Sequence, residues 1–540
     1  MSRSSSIGSI LFPLLIVACG GEEAPPAVGQ GGSTSASGGA TPTSGGASQQ
    51  GGANTSNGGA TNGNAGASSS NGGSGNASGG STNASGGKAN GGQANGGQAN
   101  GNGGRASGGQ TNGNGGRANG GASNGGATSA NGGASANGGA SVGGSTDACG
   151  RAVGACTAPT VRVSDVTLPN AVVGYGQEGD TDPLPLAIAA LPSGGSRIAW
   201  LGSDKKTVYV GELDCDDKLV GTPFSFPAID LQDLYADAAG GVVLVTREAT
   251  NGGTDNCGNG MLCGGTSSPC RGMYMIRFDN NGNVVWETQV TNLSDSLAGY
   301  QNGARFIWWY QHHGRLAFDG TNYAAYFGVA ITVNNGSCVD IHEGDRMQVV
   351  GPTGMKLTGH DSFEVGCSHA WTSRIVWDAR TNHFVMVCAT DNNCRIARPN
   401  PYRTIATGTC DGTLFGGDLV LSTTPGYWTA WSQGGTVRLQ HFTDSGPDTS
   451  VASAGSSQHP HLVPYSNGKM LLTYAMGSNM MTAQVRDAGA TGDAVGSSFS
   501  IAVNDHDYQA FKPYSDGSVA YPALGANSTS IKVARVMPCE

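Results

Sequence analysis

The chain has 540 residues, a formal net charge of −10 and only 12% charged residues. Without a basic patch to neutralise phosphates, a nucleic-acid role is not expected, and the acidic balance alone names no other partner. No run outside the extreme amino terminus approaches the 18 apolar residues of a membrane-spanning helix.

In chain order, residues 1–18 read as a signal peptide. Arg3 supplies the positive start, and Ile7 to Val17 form an apolar stretch too short to span a bilayer. The run Leu15-Ile16-Val17-Ala18-Cys19 resembles the lipobox of bacterial lipoproteins, with an aliphatic residue three before the cysteine and a small residue directly before it. The resemblance implies lipid transfer to the Cys19 sulfur, cleavage before Cys19 and acylation of the new amino terminus. Gly20, where an acidic residue is absent, implies by likeness to other diderm lipoproteins an outer-membrane or cell-surface location, with the membrane as partner through the lipid.

Residues 19–147 consist almost wholly of Gly, Ala, Ser, Asn, Thr and Gln, with repeats such as Ala89-Asn-Gly-Gly-Gln93. Such a segment has nothing to bury against its conformational entropy and is expected to be a disordered tether. It is similar to the Gly/Asn/Ser tethers of myxobacterial surface lipoproteins. A coil of ~125 residues has a mean end-to-end distance of roughly 60 Å.

Residues 148–540 are rich in Val, Ile, Tyr, Trp and Thr, enough for one large all-β domain. Of 13 cysteines, all but Cys19 fall here, and the even remainder in an exported domain suggests disulfides. Local candidates are pairs within Cys257, Cys263 and Cys270, and Cys388 with Cys394. No Cys-x-x-Cys occurs, which argues against a zinc ribbon.

Tight-turn signals recur at Gly194-Gly195, Gly240-Gly241, Gly320–Asn322, Thr381-Asn382, Pro425-Gly426, Asn467-Gly468 and Asp516-Gly517. Asn-Gly and Asp-Gly between β-branched runs are strong hairpin signals. Each turn is followed by a candidate third strand, among them Thr207–Leu213 and Ser530–Val536. Four short strands per unit at this spacing predict a seven-bladed β-propeller; the runner-up is a pair of β-sandwich domains. The last unit lacks an outer strand, which Val161–Leu168 is expected to supply. A disulfide from Cys149 or Cys156 to Cys539 would lock that closure.

Propellers usually bind ligands where the innermost strands begin. His313, His369, His459, His461 and His506 fall there, and His342 falls between strands. His313 and His459 stand at equivalent distances from their turns. Converging imidazoles would suit a transition metal, Zn, Cu or Mn, with Asp505, Asp507 and Glu364 orienting the rings. An open position on such a metal would serve hydrolytic, lyase or oxidative chemistry. The alternative is a non-catalytic module that binds a glycan or peptide through Trp308, Trp309, Trp371 and Tyr508. Trp377, in an alternating strand, is expected to pack between blades.

Overall fold

The strands pair as seven antiparallel sheets, five of them filled in simple chain order. The structure is a computed structural model. It describes residues 149–540 except 176–183, 249–270, 292–301, 307–313, 336–337, 358–362, 365–372, 391–393, 457–459, 478 and 507.

Blade 1 runs from Leu186–Ala190 to Leu219–Pro227, and blade 2 from Asp230–Asp237 to Val284–Gln289. Blade 4 runs from Ser373–Asp378 to Tyr402–Thr407, and blade 5 from Leu414–Leu421 to Gly446–Ser456. Blade 6 runs from His461–Tyr465 to Phe499–Ile501. Blade 7 comprises Lys512–Pro513, Val519–Leu524, Ser530–Val536 and, from the far end of the domain, Val161–Thr167.

Blade 3 departs from the four-strand pattern. Its hairpin Tyr323–Asn335 and Cys338–Val350 has strands of 13 residues each. The longer strand edge accommodates both Asn302–Phe306 and Arg315–Phe318 beside Tyr323–Asn335. His342 therefore lies within a strand, opposite Ile331, and not in a loop.

The core is divided into seven apolar clusters, one at each interface between neighbouring blades. Blade 5 shows the cause. Successive side chains of a strand point to opposite faces. In Tyr427–Gln433, Tyr427 and Trp431 pack with Val385 and Val387 of blade 4, while Trp428 and Ala430 pack with Met470 and Leu472 of blade 6. Both faces are buried, so the strand reads as an almost unbroken apolar run. Trp377 has the same role, packing on Phe384 with ring centroids 4.8 Å apart.

The ring closes as its sequence predicts. Val161–Thr167 pairs along its whole length with Ser530–Val536, from Val161 opposite Val536 to Thr167 opposite Ser530. Val166 and Leu168 then join Ile531, Val533, Leu186 and Trp200 in the cluster between blades 7 and 1.

Of the two disulfides proposed for the closure, Cys156–Cys539 is the one formed, bridging residues 383 apart; Cys149 pairs instead with Cys215 in blade 1. A cross-link over so long a loop removes much of the freedom of the unfolded chain. Replacing both Cys156 and Cys539 by Ala is expected to lower stability by about 2–4 kcal/mol in urea unfolding. An unchanged midpoint would show that strand pairing alone closes the ring.

The expected Cys388–Cys394 pair is corrected. Cys394 bonds to Cys410, 16 residues later. The third and fourth strands of blade 4 run antiparallel, with Arg395 opposite Thr407 and the Gly408 amide donating to the Cys394 carbonyl at 2.8 Å. That register brings the residues after Thr407 back beside Cys394. Cys388 is disulfide-bonded as well, as is Cys338. Cys257, Cys263 and Cys270 lie outside the described residues.

Candidate functional site

The innermost strands surround a central channel, and the site is built from their first residues. In each hairpin the last paired residue before the turn is well defined: Leu191, Asp237, Asp319, Asp378, Ser422, Tyr465 and Tyr514 in blades 1 to 7. Four positions earlier stand Ala187, Asp233, Arg315, Arg374, Asp418, His461 and Ala510. Because strand side chains repeat with period two, these seven positions share one orientation and form one tier. Five of the seven carry a titratable side chain, and all five are buried.

Their charges interlock. Arg374 of blade 4 pairs with Asp418 of blade 5. The Leu462 amide also donates to Asp418 Oδ2, at 3.3 Å. His461 Nδ1 of blade 6 lies 3.4 Å from Asp418 Oδ2, and its Nε2 lies 2.7 Å from Asp505 Oδ1. Burial pushes the His461 pKa down, but Asp505 and Asp418 outweigh it and raise it to about 9. At neutral pH His461 is therefore an imidazolium held between two carboxylates. Burial pushes Asp418 up, and Arg374, His461 and Arg315 together hold its carboxyl well below the usual range.

Two contacts cross the channel. Lys512 Nζ of blade 7 reaches Asp233 Oδ1 of blade 2 at 2.7 Å. It passes blade 1, where the tier position is the small Ala187. Asp233 is further held by the amides of Leu234 and Leu316, both at 2.9 Å. Arg315 of blade 3 donates to the Tyr508 carbonyl, which precedes blade 7. Blades 3 and 7 are not neighbours, so this contact spans the channel. Arg315 also donates to the Gln232 carbonyl at 3.2 Å and the Gly314 carbonyl at 2.9 Å. Burial, and then the nearby Arg374, push its pKa down to about 10.

The segment around Tyr508 is tied to its surroundings by its other side chains. His506 stacks on Tyr175 with ring centroids 4.8 Å apart, and its Nδ1 accepts the Tyr508 amide at 3.3 Å. Gln509 donates to the Pro522 carbonyl and accepts from the Tyr175 hydroxyl. Tyr508 is 3% exposed and lies edge-on to His506.

Of the residues expected to form a site, His461, His506 and Tyr508 are thus placed in the tier and the Tyr508 segment. Asp505, expected to orient a histidine, does so for His461. His313, His369, His459, Asp507, Trp308, Trp309 and Trp371 lie outside the described residues, and of His342 and Glu364 only the backbone is described. Among the described residues no three His, Cys, Asp or Glu side chains converge as metal ligands. The charged tier itself went unread in the sequence, although counting back four residues from each turn would have found it.

These seven sheets, closed by a strand from the start of the domain, define a seven-bladed β-propeller. No protein-family model matches the chain, and no curated protein is similar to it. Among solved structures, it is similar to a protein of unknown function from Dyadobacter fermentans (12% identity, TM-score 0.36, covering 71% of this chain and 100% of that one). It is also similar to the β-propeller domain of Cps50 (Swd1) from Myceliophteria thermophila (11% identity, TM-score 0.34, 69% and 99% covered). A third is puromycin hydrolase (12% identity, TM-score 0.32, 70% and 60% covered). At these values the likenesses say nothing about activity, and the fold assignment rests on the strand order itself.

Proposed function

We propose that the chain is an exported lipoprotein, held at the outer membrane or cell surface by a lipid on Cys19, whose propeller is a non-catalytic binding module displayed on a flexible tether. The observation that carries the binding reading is the state of the channel. The tier is engaged in ion pairs, His461 is clamped as an imidazolium, and Arg315 is tied across the channel to the Tyr508 carbonyl. The working surface is then an end face of the ring, with Trp308, Trp309 and Trp371 proposed to contact a glycan or peptide; Tyr508, 3% exposed, is too buried to do so.

Two measurements test this. A Cys19→Ala variant is expected to leave the membrane fraction; if it stays membrane-bound, the anchor is wrong. On a glycan array, wild-type protein is expected to give a signal that Trp308→Ala loses. A silent wild-type array overturns the glycan ligand and leaves a peptide or protein partner.

A second reading keeps the metal. It is favoured by one register: His313 and His459 each stand six residues before the last paired residue of their hairpins, Asp319 and Tyr465. With His369 and His506 nearby in the pattern, neutral imidazoles would hold Zn, Cu or Mn. Elemental analysis after metal-repleted expression decides it. Less than about a tenth of a metal per chain sinks the reading, since a site of this type binds near stoichiometrically.

A further inference from the structure

Among the described residues the interlocked tier leaves one charge unmatched, and a partly open cavity lies beside it. A cavity of about 50 Å³ sits in the channel, lined by Arg315, Arg374 and Lys512 together with Asp233, Asp418 and apolar residues such as Phe511. That is room for roughly three or four waters.

Among the described residues, three cations and two carboxylates face this space. Asp233 is taken by Lys512 and by two backbone amides. Asp418 is taken by Arg374, by the Leu462 amide and by His461. Arg315 is the cation left over. Among the described residues no carboxylate lies within ion-pair distance of it, and its fork donates only to carbonyl oxygens. Its Nε is buried with no hydrogen-bond partner, and the residue as a whole is 4% exposed.

A buried guanidinium without a direct ion-pair partner is unfavourable, because carbonyl dipoles replace only part of its lost hydration and Asp233 and Asp418 attract it only from beyond pairing distance. Arg374 alongside adds like-charge repulsion. A negative ion in the adjoining space relieves both, and the guanidinium presents donors suited to a halide or to the two oxygens of a carboxylate. The size of the space and the excess of a single positive charge set the class of ligand.

We propose that the channel cavity beside Arg315, Arg374 and Lys512 binds one small monovalent anion, either a halide or the carboxylate of a small acid. The site lies inside the ring and is independent of what the end face binds.

The test uses the mature full-length chain in detergent, dialysed into sodium gluconate. Sodium chloride is titrated at constant ionic strength while chloride NMR line broadening is followed. Sodium formate is titrated separately while the thermal unfolding midpoint is followed. The expected result is saturable binding of at least one probe, with the apparent affinity weakened about tenfold or more in Arg315→Gln. Chloride broadening that formate does not displace assigns the site to a halide. Saturation by formate alone assigns it to a carboxylate. Failure of both probes to saturate overturns the proposal, as does full binding by a folded Arg315→Gln chain. Should that variant not fold, bromide-soaked crystals of the wild type take its place. An anomalous peak within about 4 Å of the Arg315 guanidinium supports the site; peaks elsewhere only, an adventitious ion, overturn it.

Discussion

Asp217→Ala is expected to cost the fold about 3–5 kcal/mol, the penalty of removing one partner from a buried ion pair. Asp217 and Arg535 are both fully buried, 0% exposed, at the junction of blades 1 and 7. Arg535 Nη2 lies 2.6 Å from Asp217 Oδ1, and Arg162, on the closing strand, reaches Asp217 Oδ2 at 2.6 Å. The Arg535 guanidinium also lies over the Tyr514 ring, 4.2 Å from its centroid. One carboxylate of blade 1 thus holds two strands of blade 7, the last strand of the chain and the first of the domain.

Truncation strands the Arg535 guanidinium beyond the reach of water, while the partly exposed Arg162 keeps the Cys215 carbonyl and Asp216 nearby. Asp217 also sits at φ 61° in a turn, a conformation that Asn tolerates better than Ala. Asp217→Asn therefore separates the charge from the backbone effect and should lose somewhat less. Pairing Asp217→Asn with Arg535→Met should restore part of the loss, because no buried charge is then left uncompensated. Urea unfolding of the four proteins measures this. A loss below about 1 kcal/mol for Asp217→Ala, the scale of an exposed pair, would mean that the junction is held by packing alone.

Removing His461 should have a comparable effect, and one with a pH signature. Its pKa is about 9 in the folded chain against an ordinary 6.5. A raised pKa favours the fold where the group is protonated in both states. The contribution is therefore complete below pH 6.5, declines between 6.5 and 9 and is gone above that range. Its size is on the order of 3 kcal/mol. Asp418 has the opposite sign. Its carboxyl is held below the ordinary 3.8, so its contribution is present above pH 3.8 and is lost as the pH falls through its lower folded value.

These two groups together favour the fold most between those limits. His461→Gln leaves Asp505 and Asp418 buried without their shared cation and should lose about 3–5 kcal/mol at pH 6. It should also lose the alkaline slope. Unfolding midpoints at pH 6 and pH 9.5 for both proteins provide the check. An equal slope in the two would show that His461 is not the group responsible.

Several features were legible because they are local. A Gly, Asn or Asp at a tight turn, with β-branched and aromatic residues on either side, specifies a hairpin whatever surrounds it. The strands Thr207–Leu213 and Ser530–Val536 fall at their expected bounds. Regular recurrence of the turns then implied the ring, and the unit without an outer strand pointed to Val161–Leu168, of which Val161–Thr167 forms the strand.

Other features depend on residues that only pairing brings together. The Cys394–Cys410 bond follows from the register of two strands, which composition does not reveal. In sequence the long hairpin of blade 3 looks like that of an ordinary blade, because its extension continues the same β-forming pattern. His461 and His506 look alike in sequence, as polar residues near the starts of blades 6 and 7. Their roles separate in the fold, where His461 is clamped by Asp418 and Asp505 while His506 stacks on Tyr175.

By itself the sequence determined the hairpins, the number of blades and the closing strand, since each is carried by neighbours in the chain or by their period. Only the tertiary structure decided the partners of the buried charges. Asp233 with Lys512, Arg374 with Asp418 and Asp217 with Arg535 are set by which blades face one another across or around the channel. The strength of each pair depends on its burial, a property that no single strand possesses before the ring is closed.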